Sequence, residues 1–220
     1  MITGLDADPR RPGVVRVYVD SRLTWTISRG VARAEGLHEG QKLEAALRAR
    51  LEVAADEQAA WRTVLRHLER RSWAAGDLHR RLCQKGHPPE AARRAVDRAR
   101  EAGLIDDAKF AVEFVELKAA RGRGPARLLR DLQAMSVEDS VARHAVNQWS
   151  EQQEDPDAMP RGLARKRAAQ LRNISRPVRR RRILNYLARR GFQGNRIREL
   201  VEEELESREQ GSREQGAGQL

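Results

Sequence analysis

The sequence predicts a mainly α protein, in which tandem three-helix repeats form an elongated array behind a small N-terminal segment of β-hairpin and helix. The first observation is a recurrence, because residues 78–96 are followed by similar segments 50 and 105 positions later, with apolar residues at matching places. The second is composition, since 40% hydrophobic and 34% charged residues suit thin helical layers better than one thick core. The third is a strand-like alternation of apolar and polar residues over positions 14–27.

The N-terminal segment, residues 1–56, differs from the rest of the chain. Apolar and polar residues alternate over positions 14–19 and again over 23–27, and the intervening "DSR" suits a tight turn, so a β-hairpin is predicted. Ser28 is placed to cap a short helix with an apolar face. A further helix is expected over positions 43–54. Because a two-stranded hairpin is only marginally stable alone, we expect it to lean on these helices.

Three helical repeats are expected, over residues 57–107, 108–157 and 158–206. Each repeat has a first helix, then a second helix joined by a short turn to a third. The turn carries Gly86 in the first repeat and Gly191 in the last. Glycine accepts the left-handed conformation that ends many helices, so both positions predict a helix end. The middle repeat has Ser136 at this place, which leaves the geometry of its turn open.

The last segment, residues 207–220, reads "SREQGSREQGAGQL". It repeats a five-residue motif and has almost no apolar surface to bury. We therefore expect it to be a disordered tail.

Composition also bears on location. No run of about 18 apolar residues exists, so no membrane-spanning segment is expected. The N-terminal stretch "MITGLDADPRRPG" lacks the apolar core of a secretory signal. The single cysteine, Cys83, cannot form an internal disulfide. A cytoplasmic protein is the expectation.

Positive charge is concentrated near the C-terminus. The net charge is +11, and residues 161–201 hold fourteen basic residues against one acid, Glu199. At 100° per residue, an apolar helix face formed by Ile183, Leu184 and Leu187 points away from Arg181, Arg182 and Arg189. These three arginines are therefore candidate contacts to phosphate groups, and a solvated charged face is the alternative.

The first repeat offers a second basic candidate. Arg80, Arg81 and Lys85 occupy positions similar to those of the later arginines, although acids are interspersed among them. Phe192 follows the turn glycine of the last repeat and is expected to pack in the core rather than to stack on a base. Both sets are candidates for binding and not for catalysis.

No pattern in the sequence indicates an enzyme, a metal site or a cofactor. His79, Cys83 and His87 recur every four residues, but the glycine before His87 is expected to end the helix and no fourth ligand is evident. The glycines in "GRGRGP" lack the lysine and hydroxyl residue of a phosphate-binding loop. We expect no catalytic residue, no metal ligand and no cofactor.

Four segments together resemble the successive motifs of the RecX regulatory proteins, bacterial modulators of the recombinase RecA. They are "RRSWAAGDLHRRLCQKG", "AGLIDDAKFA", "GRGPARLLRDL" and "RRRRILNYLARRGF", within residues 56–205. Two positions depart from the pattern: Ser136 stands where the family has glycine, and Gly76 lies inside a helix, where alanine would be more stable by about 1 kcal/mol.

The resemblance implies a fold of tandem three-helix repeats and a binding site along the groove of the RecA–DNA filament. It further implies inhibition of filament-linked ATP hydrolysis and strand exchange, within DNA repair and homologous recombination, and no catalysis of its own. The residues themselves leave two other interpretations open. One is a sequence-tolerant DNA-binding helical module that acts like helix-turn-helix elements, and the other is a helical scaffold whose basic face binds an acidic protein. A monomer is expected, and the role of the N-terminal segment stays open.

Overall fold

The computed structural model describes residues 1–171 and 174–217, with side chains described up to residue 207. The predicted fold class is confirmed, because the chain is mainly helical with a small sheet at its N-terminus. Contacts divide it into two compact units, Met1–Asp106 and a second that begins at Asp107. Among the described residues, no helix is both long enough and apolar enough to cross a membrane.

The N-terminal sheet contains the predicted hairpin. Strands β2 (Val14–Val19) and β3 (Arg22–Ser28) pair antiparallel and are joined by Asp20 and Ser21. Both turn residues have positive φ, 49° and 64°, as a two-residue hairpin turn of this hand requires. Tertiary packing buries the inner face of the hairpin.

The sheet also has a third strand, which the sequence analysis missed. Strand β1 (Ile2–Ala7) pairs antiparallel with β2, so the sheet has one strand more than the predicted hairpin. The segment contains a glycine and few β-forming residues, so local propensity does not reveal it. Its end is held by the buried Asp8, whose carboxylate accepts hydrogen bonds from the Arg10 amide and from the side chains of Arg11 and Arg16.

Two helices follow the sheet. Ser28 caps helix α1 (Arg29–Ala34) as predicted, with its hydroxyl accepting from the Val31 amide at 3.2 Å. Helix α2 (Ala45–Leu68) is a single helix of 24 residues, where the sequence predicted two. The expected segment boundary at 56/57 therefore falls inside a continuous helix. The reason is that no glycine or proline interrupts residues 45–68, so nothing ends the helix.

Helix α2 joins two cores. In its first half, Leu47 and Leu51 pack against the sheet. In its second half, Ala60 and Val64 pack against the next two helices of the chain. The same helix is thus the support of the sheet and the first helix of the first repeat.

The other helices complete the three repeats in the expected order. They are α3 (Ala75–Gln84), α4 (Pro89–Glu101), α5 (Asp107–Ala119), α6 (Pro125–Ala134), α7 (Asp139–Glu151), α8 (Ala158–Gln170), α9 (Arg176–Arg190) and α10 (Asn195–Ala217). The turn between the second and third helix of each repeat has a left-handed residue at the matching place, with φ of 88° at Gly86, 58° at Ser136 and 95° at Gly191. The middle turn therefore keeps the geometry of the others in spite of its serine.

The C-terminal segment differs from its prediction. Residues 207–220 are expected to be disordered, but helix α10 continues to Ala217, and residues 218–220 lie outside the described part of the chain. Leu200, Val201 and Leu205 anchor the first half of this helix in the core of the last repeat. Glutamate, arginine and glutamine are good helix formers, so an anchored helix extends through them without a new nucleation cost.

Candidate nucleic-acid interface

Helix α9 carries the three arginines of the C-terminal candidate site on its solvent side. Ile183 and Leu187 are fully buried in the core of the last repeat. Arg181, Arg182 and Arg189 are exposed, as helical periodicity predicts, and are called the α9 arginine stripe below. Arg182 and Arg189 lie two turns apart on one side of the helix, about 10 Å from each other along its axis. Their role in binding stays a prediction.

Acidic residues of α10 neutralise a neighbouring part of α9. Arg180 forms an ion pair with Glu202, and Arg176 contacts Glu202 at 3.3 Å and Glu206 at 3.4 Å. The hydrogen bond from Arg180 lowers the pKa of Glu202, although its burial acts in the opposite direction. This carboxylate is therefore ionised at neutral pH and cancels positive charge on one side of α9.

Two arginines of helix α8 are neutralised in the same way. Arg165 pairs with Glu204, whereas Arg161 and Arg196 share Asp157 and Glu203. The count of fourteen bases against one acid therefore overstates the exposed positive charge, because the acids that balance it lie just outside residues 161–201. These ion pairs balance part of the positive charge, so only a part of the basic run remains a candidate.

The α9 arginine stripe is the main cluster within that part. Within residues 1–171 and 174–207, where side chains are described, no acidic group lies within ion-pair distance of Arg181, Arg182 or Arg189. The stripe is on the side of the helix away from its buried residues, so its charge faces solvent. Exposed guanidinium groups without an internal counter-ion are suited to phosphate, which they can bind through two parallel hydrogen bonds.

The end of α9 is attached to the start of α6. The carbonyl groups of Arg190 and Gly191 accept hydrogen bonds from the amides of Gly124, at 2.7 Å, and Ala126, at 3.3 Å. A Cβ on Gly191 would collide with the backbone nitrogen of Arg127, so no other residue fits this contact without movement. Two motifs that are distant in sequence, "GRGP" and "RRGF", therefore meet here and fix the position of the stripe relative to the middle repeat.

A tyrosine beside the stripe lies between two arginines, a feature the sequence analysis missed. The guanidinium of Arg190 is 5.0 Å from the centre of the Tyr186 ring, and that of Arg167 is 5.7 Å away. Arg190 also donates to the carbonyl groups of Arg121 and Gly122, at 3.2 Å each, which holds it in place. Arg167 and Arg190 extend the basic surface. The contact between Tyr186 and Arg190 could have been predicted from their spacing of four residues on one helix, but the contact with Arg167 of another helix could not. Phe192 is buried in the core, as predicted.

The first repeat carries the second candidate set. Arg80, Arg81 and Lys85 are exposed on α3 and at its end. Arg80 is already paired with Asp77 at 2.7 Å. The same surface includes residues that the sequence analysis did not single out, namely Arg70 and Arg71 with Trp73, beside Arg80 and Arg81 in one cleft.

The three residues considered for a metal are not brought together. His79 and Cys83 are 3.8 Å apart, but the His87 ring instead contacts the Thr63 hydroxyl at 3.0 Å. In the described part of the chain, no three histidine, cysteine or acidic residues are grouped so that they could hold a metal ion.

Comparison with known proteins shows curated relatives, although no protein-family model matches. A protein of Thermobifida fusca (strain YX) named "Regulatory protein RecX" is 38% identical over 145 residues, which are 65% of this chain and 77% of that relative. A protein of Xanthomonas oryzae pv. oryzae (strain PXO99A) with the same name is 33% identical over 154 residues, 68% of this chain and 90% of the relative. Both alignments cover most of the relative's length.

Solved structures show the same fold. A crystal structure of regulatory protein RecX superposes with a TM-score of 0.73, covering 92% of this chain and 98% of that chain at 21% identity. The crystal structure of RecX from Lactobacillus salivarius gives a TM-score of 0.57 over 67% of this chain and 96% of its own, at 17% identity. The motifs, the identities and the coverage of the curated relatives agree, and the chain belongs to the RecX family of regulatory proteins.

Proposed function

We propose that the protein binds the filament that RecA forms on single-stranded DNA and inhibits its ATP hydrolysis and strand exchange, without catalysing a reaction itself. The observation that carries the proposal is the α9 arginine stripe, which lies on a helix of a RecX-family fold and has no acidic partner among the described side chains. Regulation by a basic surface requires binding alone, so no catalytic group is needed.

The stripe is held in a fixed position, which favours a specific contact over loose attraction. The buried side chains of Ile183 and Leu187 fix the rotation of α9, and the hydrogen bonds to α6 fix its C-terminal end. An arginine that is already positioned loses less conformational entropy on binding than one on a flexible segment. The fixed orientation of α9 thus suits binding to an ordered array of negative charges, such as the one that a filament groove presents.

DNA alone is an insufficient partner for this stripe. Each phosphate contact contributes to affinity mainly through counter-ion release, and proteins that bind tightly make roughly 6–10 such contacts. The stripe supplies three arginines. We therefore expect the rest of the binding free energy to come from contacts with RecA, and this distinguishes the proposal from a DNA-binding module that acts on DNA without the recombinase.

The test is the rate of ATP hydrolysis by RecA on single-stranded DNA, titrated with the wild-type protein and with R181A/R182A/R189A. We expect the wild-type protein to inhibit and the triple variant to need a concentration at least about tenfold higher for half-inhibition, since each lost contact weakens binding. In binding titrations with single-stranded DNA, the slope of log K against log[salt] should become shallower by up to about 0.7 for each lost contact.

The matched control is R93A/R94A/R143A, which removes three exposed arginines that already form ion pairs with Glu90 and Asp139. The control should inhibit like the wild-type protein. Full inhibition by the stripe variant would contradict the proposed site, and absence of inhibition by the wild-type protein would contradict the proposed function. Loss of DNA binding with unchanged inhibition would indicate that the stripe serves DNA alone.

A further inference from the structure

A basic cleft lies in the first unit, between the end of α2 and helix α3. Its volume is about 500 Å³. It is lined by His67, Arg70, Arg71, Trp73, Asp77, Arg80, Arg81 and Gln84. Four arginines thus face one carboxylate in a concave site, and a cleft lined mainly by one sign of charge concentrates counter-ions of the opposite sign.

The histidine of the cleft responds to this charge. Burial lowers the pKa of His67, and the cations Lys85, Arg81, Arg70 and Arg66 lower it further. The imidazole is therefore neutral at pH 7 and adds no charge of its own. A bound phosphate would oppose the effect of the cations, so the pKa of His67 can report on occupancy of the cleft.

An arginine stacked on tryptophan forms one wall. The guanidinium of Arg71 lies over the Trp73 ring at 3.5 Å from its centre. The Trp73 indole donates to the carbonyl of His67 at 3.2 Å, and the His67 ring meets its edge at 5.0 Å. The tryptophan is fixed by these contacts, so the guanidinium on top of it is held flat, with half of the Arg71 side chain exposed to solvent. Planar guanidinium groups of this kind stack on nucleobases.

We infer that this cleft binds single-stranded DNA, with a phosphate held by Arg70, Arg80 and Arg81 and a base stacked on the outer face of Arg71. A base in a duplex is stacked between its neighbours and cannot reach this surface, so the arrangement selects single strands. The ion pair between Asp77 and Arg80, at 2.7 Å, holds the Arg80 side chain at the cleft.

This site goes beyond the proposed function, because it lies in a different unit from the α9 arginine stripe and does not depend on RecA. It also gives the N-terminal half of the chain a role in binding that the family motif alone does not assign to Trp73. The two sites are therefore tested by different measurements, one with naked DNA and one with the recombinase.

The experiment is a fluorescence anisotropy titration of the full-length protein against three probes of equal length: labelled oligothymidylate, an abasic oligonucleotide with the same backbone, and a duplex. We expect oligothymidylate to bind at least about fivefold more tightly than the abasic strand, since one stacked base contributes at least that factor. The duplex should bind more weakly than oligothymidylate, although it carries more phosphate groups.

Two variants distinguish the contribution of phosphate contacts from the contribution of base stacking. R80A/R81A should weaken binding to oligothymidylate and the abasic strand alike and should reduce the salt slope by about 1.4, or about 0.7 for each contact. R71K keeps the charge but removes the flat surface, so it should abolish the preference for oligothymidylate over the abasic strand while leaving the salt slope unchanged.

The control is R93A/R94A, which removes two exposed and ion-paired arginines of the same unit. Equal losses in R80A/R81A and R93A/R94A would mean that only net charge matters and would overturn the site. An unchanged preference in R71K would overturn the stacking. A second readout, the NMR titration of His67, should show a higher pKa with oligothymidylate than without it, and no change would likewise count against the site. Inhibition of RecA by R80A/R81A reports on the proposed function separately.

Discussion

At the scale of single residues, Gly86 and Gly191 occupy equivalent turns but have different surroundings. Both have positive φ, 88° and 95°. A Cβ on Gly86 would meet nothing within 4 Å, whereas a Cβ on Gly191 would collide with the Arg127 backbone and lie 2.8 Å from the Gly124 carbonyl oxygen. Glycine at the first position avoids the cost of the left-handed conformation, whereas glycine at the second also permits the close approach of α9 to α6.

This difference predicts unequal costs of alanine. We expect G86A to lower the free energy of unfolding by about 1 kcal/mol, because an L-residue in the left-handed region costs roughly 1–2 kcal/mol. G191A should cost more than about 3 kcal/mol, since helices α6 and α9 must also move apart. Urea unfolding of the two variants measures both values. Equal costs would show that the collision is relieved without loss.

Ser136, in the equivalent turn of the middle repeat, supports this distinction between Gly86 and Gly191. It adopts φ of 58° without glycine. An L-residue in this conformation costs roughly 1–2 kcal/mol, and the middle turn keeps its geometry in spite of that cost, so a side chain at this position does not prevent the turn. What demands glycine at Gly191 is the neighbouring backbone, which only the folded chain brings there.

At the scale of elements, α10 controls how much of the charge on α9 is available. Glu202 and Glu206 pair with Arg176 and Arg180, whereas the α9 arginine stripe has no acidic partner among the described side chains. Helix α10 therefore supplies the counter-ions for the arginines near the start of α9. The extent of the basic surface depends on this packing as well as on the number of arginines.

The variant E202Q/E206Q tests this idea. It should tighten binding to single-stranded DNA by about two- to tenfold at low salt and steepen the salt slope by up to about 0.7 for each freed arginine. The control E151Q/E154Q changes the net charge equally but alters glutamates outside the ion pairs described for α9. Anisotropy titrations at several salt concentrations give both quantities. The same gain in both variants would contradict a local effect of α10.

At the scale of the whole molecule, two histidines whose pKa is lowered lie in the first unit. The first unit contains His67 and His87, and burial is the main cause that lowers the pKa of each. Cations nearby lower both further, and Asp56 opposes them at His87. In the second unit, the hydrogen bond from Arg180 lowers the pKa of Glu202.

The first unit is therefore expected to lose stability at a higher pH than the second. Both histidines have a lower pKa folded than the value of about 6.5 that applies unfolded, so their contribution is complete above pH 6.5 and is lost as the pH falls through the folded pKa. The contribution of Glu202 is lost only below about pH 4.3. Hydrogen exchange at pH 7, 6 and 5, corrected for the intrinsic rate, should show earlier loss of protection in residues 1–106.

The variant H67Q/H87Q is the control for this prediction, because it removes both titrating rings. Its first unit should show much less change in protection between pH 7 and pH 5. Parallel loss of protection in both units of the wild-type protein would contradict the assignment to these histidines.

The sequence by itself determined the repeat, the turns and the orientation of the α9 arginine stripe. Each of these depends on local patterns: helical periodicity decides that Ile183 is buried and Arg182 exposed, and a helix must end where the chain turns at Gly191. The family resemblance could also be read from the order of four motifs. These features are carried by residues close together in the chain, which is why a sequence pattern suffices.

Tertiary structure alone decided which charges meet. Arg180 and Glu202 are 22 positions apart, and Arg165 and Glu204 are 39 apart, so no local count could pair them. The addition of β1 to the sheet and the contact of Gly124 with Gly191 depend in the same way on distant segments. Electrostatic energy follows distance in space, and only the packed helices bring Arg70 and Arg71 together with Arg80 and Arg81 in the cleft of the first unit. The same packing leaves the α9 arginine stripe without a counter-ion among the described side chains.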